Sequence, residues 1–212
     1  MEFKTNGIEP ALLKEMYESM VKIRKVEEKI AEVLLAGEVI TPTHLYIGQE
    51  AVAVGVCKAL ESDDYVFSNY RGHGHYLAKG GDVKKMIAEL YGKSDGASKG
   101  KGGSMHLVAP DISIPAVNTA IVGSQISHAV GAGLAIKLRG ENKVSVVFFG
   151  DAGTDTGIFY ESTNFAALKK LPVIFICENN FYSSHVHLKE RQPINDLYLK
   201  TQHMMRSYQV DG

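Results

Sequence analysis

Two short polar segments carry residue types that bind metal ions and phosphate groups, and each comes after an apolar run. Gly150-Asp151 follows the run 143–149, and Asn179-Asn180 comes one residue after the run 171–177. If the two runs form parallel strands, their carboxyl ends lie at one edge of a sheet, where ligands bind in such folds. A carboxylate and an amide oxygen suit a hard cation such as Mg²⁺, and the backbone N–H groups of Ala152-Gly153 suit an anion. The pattern therefore favours a metal and phosphate site.

Two other interpretations of these segments remain open. In the first, Asp151 caps the helix that follows it and Asn179-Asn180 forms a simple turn. The second is a dinucleotide-binding site, which also has an apolar strand, a glycine-rich turn and a helix. However, Gly150, Gly153 and Gly157 lack the G-x-G-x-x-G spacing of that site, and the sequence contains no Walker motif. The dinucleotide interpretation is therefore the weaker one.

The elements that would position these segments form a strand–helix–strand unit. Both apolar runs have the composition of buried strands, and the stretch 157–169 between them is helix-like. Fully apolar strands joined by a helix indicate a parallel sheet that is covered by helices on both faces. The predicted fold class is therefore α/β. Further helices are expected at 10–36, 49–60, 82–91 and 122–138, and a short strand at 65–67.

The glycine-rich segment 92–103 is long for a loop in a compact domain, so we expect it to be either functional or mobile. The helix expected at 122–138 is rich in small residues, which predicts close packing against neighbouring backbone. No internal repeat or linker-like break divides the chain. We therefore expect a single domain over residues 1–212.

Composition and charge exclude several classes of protein. The chain has 212 residues, a formal net charge of −1 and 45% hydrophobic residues. These values are typical of a folded domain rather than a disordered chain, and the balanced charge offers no basic field for nucleic acid or an anionic membrane. Cys57 and Cys177 lie in apolar runs, where we expect buried thiols rather than a disulfide. No segment has the pattern of a signal peptide or a membrane span, and we expect a soluble, cytoplasmic protein.

Taken together, the motifs of the chain resemble one known family. The stretch from Gly150-Asp151 to Asn180 resembles the motif that binds thiamine diphosphate. More specifically, the chain resembles the alpha subunit of the decarboxylating component of 2-oxo acid dehydrogenase complexes of the pyruvate, branched-chain and acetoin types. The resemblance covers nearly the whole chain and implies the thiamine-diphosphate-binding fold. It is carried by HLYIGQEA at 44–51, NYRGHG at 69–74, GKGGSMHL at 100–107, AIVGSQISHAVGAGLA at 120–135 and GIFYESTNFAALKKLPVIFICENNFY at 157–182.

The resemblance assigns residues to the cofactor. Mg²⁺ would be held by the carboxylate of Asp151, the side-chain oxygen of Asn180 and the backbone carbonyl of Tyr182. Tyr70 and Arg71 match a pair that binds the diphosphate, a role that suits the planar guanidinium because it can contact two oxygens. The implied cofactor-binding set is completed by Gly150, Ala152, Gly153 and, through their backbone at the aminopyrimidine ring, Ala120 and Val122.

Two histidines are candidates for catalysis. By resemblance, His44 and His73 match histidines near the reacting thiazolium carbon, where an imidazole could hold the substrate carboxylate or move protons. The sequence also departs from the family pattern in two places. Ala152 replaces the third glycine of the cofactor motif and would hinder backbone approach if that position requires a positive φ. The His185-Val-His187 segment is not explained by the resemblance.

The resemblance also implies an activity and partners. The chain would take part in the oxidative decarboxylation of a small, pyruvate-like 2-oxo acid, with thiamine diphosphate and Mg²⁺ as cofactors. The acyl product would pass to a lipoyl-bearing acyltransferase. A separate beta subunit, in an α2β2 assembly, would supply the glutamate that activates the cofactor. Nucleic acid and membrane partners are not expected.

Two alternatives to this function remain. The chain could be half of a transketolase-like thiamine-diphosphate enzyme that acts on sugar phosphates. It could also be a truncated subunit or interaction module that no longer catalyses a reaction. The segment Val210-Asp211-Gly212 favours the latter, since it resembles a mid-domain point in the family, and we expect the domain to be truncated at its C-terminus.

Overall fold

The fold alternates helices with short strands in the computed structural model, which describes residues 7–115 and 119–211. The helices are α1 (Pro10–Leu35), α2 (Glu50–Lys58), α3 (His73–Ala78), α4 (Val83–Leu90), α5 (Ser124–Arg139) and α6 (Gly157–Lys169). The strands are β1 (Tyr65–Phe67), β2 (Ser145–Gly150), β3 (Val173–Glu178), β4 (Tyr182–Ser183) and β5 (Val186–His187). Short 3-10 helices lie at Pro110–Ile112, Asp151–Asp155, Leu188–Glu190 and Leu197–Lys200. Within the described ranges, no helix is both long and apolar enough to cross a membrane.

Strands β1, β2 and β3 form a parallel sheet with β2 in the middle. The register pairs Ser145 of β2 with Tyr65 of β1 on one side and with Val173 of β3 on the other. The two strands predicted from apolar runs therefore lie side by side, and α6 connects them. The predicted strand–helix–strand unit and the α/β fold class are confirmed. Strands β4 and β5 form a separate antiparallel hairpin.

Side chains of β2 alternate between two hydrophobic cores. Val146 and Phe148 pack in a core that includes buried residues of α1 to α4, whereas Val147 and Phe149 pack against α5 and α6. Because successive strand residues point to opposite faces, helices cover both faces of β2. Strand β3 is an edge strand of the described sheet and is less buried, with Ile174 42% exposed. The prediction that both strands are covered on both faces holds for β2 and only in part for β3.

The helices lie close to their predicted positions. Two predicted features, an N-cap on α4 and close packing of α5, are also observed. The carboxylate of Asp82 caps α4 by accepting hydrogen bonds from the backbone N–H groups of Lys84 and Lys85. Helix α5 packs closely on β3, since a Cβ added at Gly133 would lie 2.4 Å from Cγ2 of Val173. Helix α3 was not predicted because six residues are too few to display a helical period.

One buried carboxylate holds the glycine-rich segment 92–103. Glu89 of α4 is 1% exposed. Its two oxygens accept hydrogen bonds of 2.7–3.0 Å from the backbone N–H groups of Ser98, Gly100, Gly102 and Gly103. Burial desolvates the carboxylate, but these four hydrogen bonds outweigh that effect and lower the pKa of Glu89. The segment is therefore anchored to α4 along its second half.

Replacing Glu89 with glutamine tests this anchor. The amide retains one acceptor oxygen, so at least two of the four backbone N–H groups lose their partner. We expect Glu89→Gln to lower the free energy of unfolding at pH 7 by about 1–3 kcal/mol, measured by urea denaturation. The matched change Glu18→Gln, at an exposed glutamate of α1, should alter the free energy of unfolding by less than about 0.5 kcal/mol.

The unmodified chain and Glu89→Gln should differ in how their stability depends on pH. Because the folded-state pKa of Glu89 is lowered, its stabilising contribution is fully present above the ordinary glutamate pKa of about 4.3. That contribution is lost as the pH falls through the folded-state pKa. Below about pH 4.5, the stability of the unmodified chain should therefore fall more steeply than that of Glu89→Gln. Parallel stability profiles would show that Glu89 does not anchor the segment as a carboxylate.

Candidate active site

The carboxyl ends of β2 and β3 border a pocket at the edge of the sheet. The register pairs Gly150 with Glu178, so the turns that follow the two strands are neighbours. The predicted residues that line the pocket are Tyr70, Arg71, Val122, the 150–153 turn, Asn180 and Tyr182. The structure thus brings together most residues that the sequence analysis assigned to the cofactor and metal. Within the described part of the chain, His44, His73 and Ala120 do not line this pocket.

Asp151 is a buried carboxylate that is paired with an arginine. It begins the 3-10 turn after β2 and is 1% exposed. One guanidinium bridges two carboxylates, because Nη2 of Arg191 donates to Oδ2 of Asp151 and Nη1 donates to Oδ2 of Asp155. Burial raises the pKa of Asp151, although the adjacent guanidinium favours its charged form. A buried carboxylate requires hydrogen-bond donors or an opposite charge, and Arg191 provides both to Asp151.

The backbone at Ala152 is not in the left-handed region. The described non-glycine residues with a positive φ are Lys99, Ser113, Lys170, Phe181 and Ser184. Ala152 lies within the 3-10 turn instead, so the conformational reason to require a glycine there does not apply. At Gly153, an added Cβ would lie 3.1 Å from the side chain of Phe149. Glycine at that position allows the turn to pack tightly against the end of β2.

The turn after β3 places Asn180 and Tyr182 at the mouth of the pocket. Oδ1 of Asn180 accepts a hydrogen bond of 3.1 Å from the backbone N–H of Tyr182, and Oδ1 of Asn179 accepts one of 3.1 Å from that of Phe181. Between them, Phe181 has a φ of 67°, which is unfavourable for a bulky side chain. The two asparagine turns hold this strained backbone and thereby fix the chain between the two predicted metal-binding residues.

Tyr70 and Arg71 line the pocket from the segment between β1 and α3. Oδ1 of Asn69 accepts a hydrogen bond of 2.8 Å from the backbone N–H of Arg71, which orders this segment. The guanidinium of Arg71 donates to the backbone carbonyl of Leu45 rather than to a carboxylate. Among the described residues, the arginines paired with carboxylates are Arg24, Arg139 and Arg191. The positive charge of Arg71 is therefore not neutralised and is available to an anion.

His44 lies beside the pocket, with its ring centroid 4.6 Å from that of Tyr70. Partial burial lowers the pKa of His44, and the positive charge of Arg71 and the neighbouring His73 lower it further. The imidazole is therefore neutral at pH 7, the form that can accept a proton. Its catalytic role stays a prediction.

His73 is buried in a hydrogen-bonded network. Its Nδ1 lies 2.7 Å from Oε1 of Glu27, and its Nε2 lies 2.7 Å from Oγ of Ser104. The other oxygen of Glu27 accepts a hydrogen bond of 3.0 Å from the backbone N–H of Tyr46. Both ring nitrogens of His73 are thus engaged by protein atoms, and the ring ties α1, α3 and the end of the glycine-rich segment together. A catalytic role for His73 also stays a prediction.

Several residues that line the pocket were given no role by the sequence analysis. They are Gln49, Asn69, Thr119, Gln125, Phe149 and Glu178. Glu178 is held by two donors on the same oxygen, since the hydroxyl of Tyr46 donates to Oε1 and Nε2 of His75 lies 3.1 Å from it. Nδ1 of His75 in turn lies 2.7 Å from Oγ of Ser68. The segments that carry the resemblance contain Gln49, Asn69, Gln125 and Glu178, but residue type alone did not indicate what each contacts.

Comparison with known proteins gives the family of this chain. Residues 18–212 match the family model described as "Dehydrogenase E1 component". The chain is 46% identical over 167 residues to the alpha subunit of acetoin:2,6-dichlorophenolindophenol oxidoreductase of Bacillus subtilis (strain 168), which covers 79% of this chain and 50% of that protein. It is 42% identical over 197 residues to the alpha subunit of the pyruvate dehydrogenase E1 component of Rhizobium meliloti (strain 1021), which covers 92% of this chain and 56% of that protein.

The chain spans about half the length of the curated relatives that it matches. The family match nevertheless covers most of the chain and includes all the predicted site residues. The resemblance stated from the motifs is confirmed, and the chain belongs to the dehydrogenase E1 component family.

Proposed function

We propose that this chain is the cofactor-anchoring part of the alpha subunit of a thiamine-diphosphate-dependent 2-oxo acid dehydrogenase. In this proposal it acts with a beta subunit to decarboxylate a small 2-oxo acid and to pass the acyl group to a lipoyl carrier. Family membership supports the proposal. The observation that carries it is the meeting of Asp151, Asn180 and Tyr182 with Tyr70 and Arg71 in one pocket at the carboxyl edge of the sheet.

The donor atoms available at this edge fit a divalent cation. Asp151, Asn180 and Tyr182 would offer a carboxylate, an amide oxygen and a backbone carbonyl, an all-oxygen set that suits Mg²⁺. Such a set differs from sites built of several His, Cys, Asp or Glu residues, and in the described ranges no three or more of these are grouped so that they could hold a metal ion. The guanidinium of Arg191 contacts the carboxylate that Mg²⁺ would contact, so a positive charge already lies at this position.

The positive charge of Arg71 in the pocket fits a diphosphate. The guanidinium of Arg71, which has no carboxylate partner among the described residues, would contact phosphate oxygens in the paired manner typical of arginine. The hydroxyl of Tyr70 can donate to the same group. Arg71 would thus share the neutralisation of the diphosphate with the cation held by Asp151, Asn180 and Tyr182.

Bound thiamine diphosphate supplies the carbanion-stabilising chemistry that decarboxylation requires. The residues of this chain would hold it and orient its reactive end. The neutral imidazole of His44, beside Tyr70, is suited to hold the substrate carboxylate by a hydrogen bond or to move a proton. In addition to its predicted catalytic role, we assign His73 a positioning role through its contacts with Glu27 and Ser104. The activating glutamate is assigned to the beta subunit, in an α2β2 assembly.

The substrate and location belong to the same proposal. Relatives of this chain carry names that specify pyruvate or acetoin, so both compounds should be assayed with the assembled complex. We propose a cytoplasmic location and a lipoyl-bearing acyltransferase as the acceptor of the product. Decarboxylation at full rate by the alpha chain without a beta subunit would contradict the division of labour proposed here.

Alanine variants of the two aspartates that Arg191 bridges test the assignment of Asp151 as a metal ligand. We expect Asp151→Ala to weaken Mg²⁺-dependent binding of thiamine diphosphate by more than about 100-fold, since loss of even an outer-sphere partner costs about 10–100-fold. Asp155→Ala, which removes the other carboxylate bound by the same guanidinium, should retain most of the binding. Calorimetric titration of the complex with the beta subunit measures both. Binding that survives Asp151→Ala would show that the metal assignment is wrong.

Arg191 should compete with the cation for Asp151. The guanidinium and Mg²⁺ are both positively charged and would repel each other at the carboxylate of Asp151, so the ion pair with Arg191 should disfavour binding of the metal. We expect Arg191→Gln to lower the Mg²⁺ concentration that gives half-maximal cofactor binding by about tenfold. Arg139→Gln, which removes an exposed arginine paired with Glu141, is the matched control. An unchanged or higher Mg²⁺ requirement in Arg191→Gln would contradict this competition.

A further inference from the structure

Positive charge is concentrated on the surface of residues 83–103, the stretch from the start of α4 to the end of the glycine-rich segment. Five lysines, the exposed Asp95 and the buried Glu89 give this stretch a net charge of +3. The whole chain has a net charge of −1, so the rest of it sums to −4. The lysines are all exposed, and they are Lys84, Lys85, Lys93, Lys99 and Lys101.

These five lysines form no ion pair within residues 7–115 and 119–211. Helix α1 offers a direct contrast, because three of its exposed lysines each pair with a glutamate one turn further along, namely Lys14, Lys25 and Lys29. The carboxylate of Glu89 is occupied by backbone N–H groups. The positive charge of the stretch is therefore open to a partner outside the chain.

Backbone contacts gather four of these lysines in one place, which we call the basic patch: Lys85, Lys93, Lys99 and Lys101. The backbone N–H of Ala97 donates a hydrogen bond of 3.1 Å to the carbonyl of Lys85. A Cβ added at Gly100, between Lys99 and Lys101, would lie 2.7 Å from the carbonyl oxygen of Lys93. Because Glu89 anchors the same backbone from below, the basic patch is presented on an ordered surface.

Lys99 occupies a backbone position that its residue type disfavours. Its φ is 58°, in the left-handed region that favours glycine. Its backbone N–H donates a hydrogen bond of 2.9 Å to the carbonyl of Gly96, which closes the turn. The exposed ammonium has no carboxylate partner in the described ranges to offset this cost. A strained residue whose side chain does nothing for the fold points to a role in function.

The basic patch is close to the candidate active site along the chain. Lys101 lies three residues before Ser104, whose Oγ is 2.7 Å from Nε2 of His73. His73 in turn follows two residues after Arg71, which lines the pocket. Three residues of extended chain span at most about 11 Å. A partner seated on the basic patch is therefore held beside the segment that contacts His73.

We propose that the basic patch docks the carrier domain that receives the acyl group, through an acidic face of that domain. This inference rests on the proposed function, since it assumes an acceptor that is attached to a protein. Exposed charge pairs speed association and add little to affinity, which suits a carrier that must arrive and leave in every turnover. The net charge of −4 outside residues 83–103 disfavours nucleic acid, a polyanion that would extend beyond the patch.

The test compares two electron acceptors on the same enzyme. The complex of the full alpha chain with its beta subunit is assayed with the lipoyl-bearing domain of its acyltransferase and with dichlorophenolindophenol, a small dye that needs no docking surface. We expect the combined variant Lys85→Gln, Lys93→Gln, Lys99→Gln and Lys101→Gln to raise KM for the domain by about tenfold and to flatten the dependence of kcat/KM on salt. The rate with the dye should change by less than about twofold.

A matched control removes the same number of charges from another surface. It combines Lys14→Gln, Lys22→Gln, Lys25→Gln and Lys29→Gln, all at exposed positions of α1. Because both variants have the same net charge, any difference between them reports where the charge lies. The control should keep KM for the domain within about twofold of the unmodified complex.

The possible outcomes are distinct. A rise in KM for the domain that is confined to the patch variant supports the proposal. An unchanged KM, an equal rise in the control, or an equal loss of rate with the dye overturns it and leaves the proposed function intact. The same holds if single-stranded DNA binds the unmodified complex but not the patch variant while KM for the domain is unchanged. If the unmodified complex decarboxylates no 2-oxo acid, the proposed function and this inference fall together.

Discussion

Parallel pairing of β2 with β3 is the constraint on which the site depends. The register that sets Gly150 beside Glu178 brings two turns, distant in sequence, to the same edge of the sheet. One turn begins with the buried carboxylate of Asp151, and the other carries Asn180. The two cores on either face of β2 stabilise this pairing, so packing in the interior fixes the spacing of polar groups at the rim.

Buried glutamates also hold the segments near the pocket in place. Glu27 holds His73, and Glu178 is held by Tyr46 and His75. Glu89 gathers the glycine-rich segment by its backbone. Each carboxylate is buried and satisfied by several donors, and loss of one partner would leave a polar group without compensation. These networks join α1, α3 and α4 to the glycine-rich segment and to Ser104 after it, and α3 begins two residues after Arg71.

The sequence was sufficient to predict the strands of the sheet and the helix between them, because long apolar runs dominate local structure. The predicted strand ends were sufficient to bring Asp151 and Asn180 together, whereas Arg71 was assigned to the pocket only by the resemblance. The sequence did not predict contacts that tertiary folding creates. His73 meets Glu27 across 46 positions, and Arg191 meets Asp151 across 40. Neither residue type nor local spacing encodes such pairs, and the short helix α3 offered too few residues to show a period.

A crystal structure of the complex with the beta subunit, grown with Mg²⁺ and thiamine diphosphate, tests the proposed site most directly. The metal should bind a carboxylate oxygen of Asp151, Oδ1 of Asn180 and the backbone carbonyl of Tyr182 at about 2.1 Å. Arg191 should have withdrawn from Asp151. A metal bound elsewhere, or a diphosphate that does not contact this edge, would contradict the assignment of this sheet edge as the diphosphate-anchoring site.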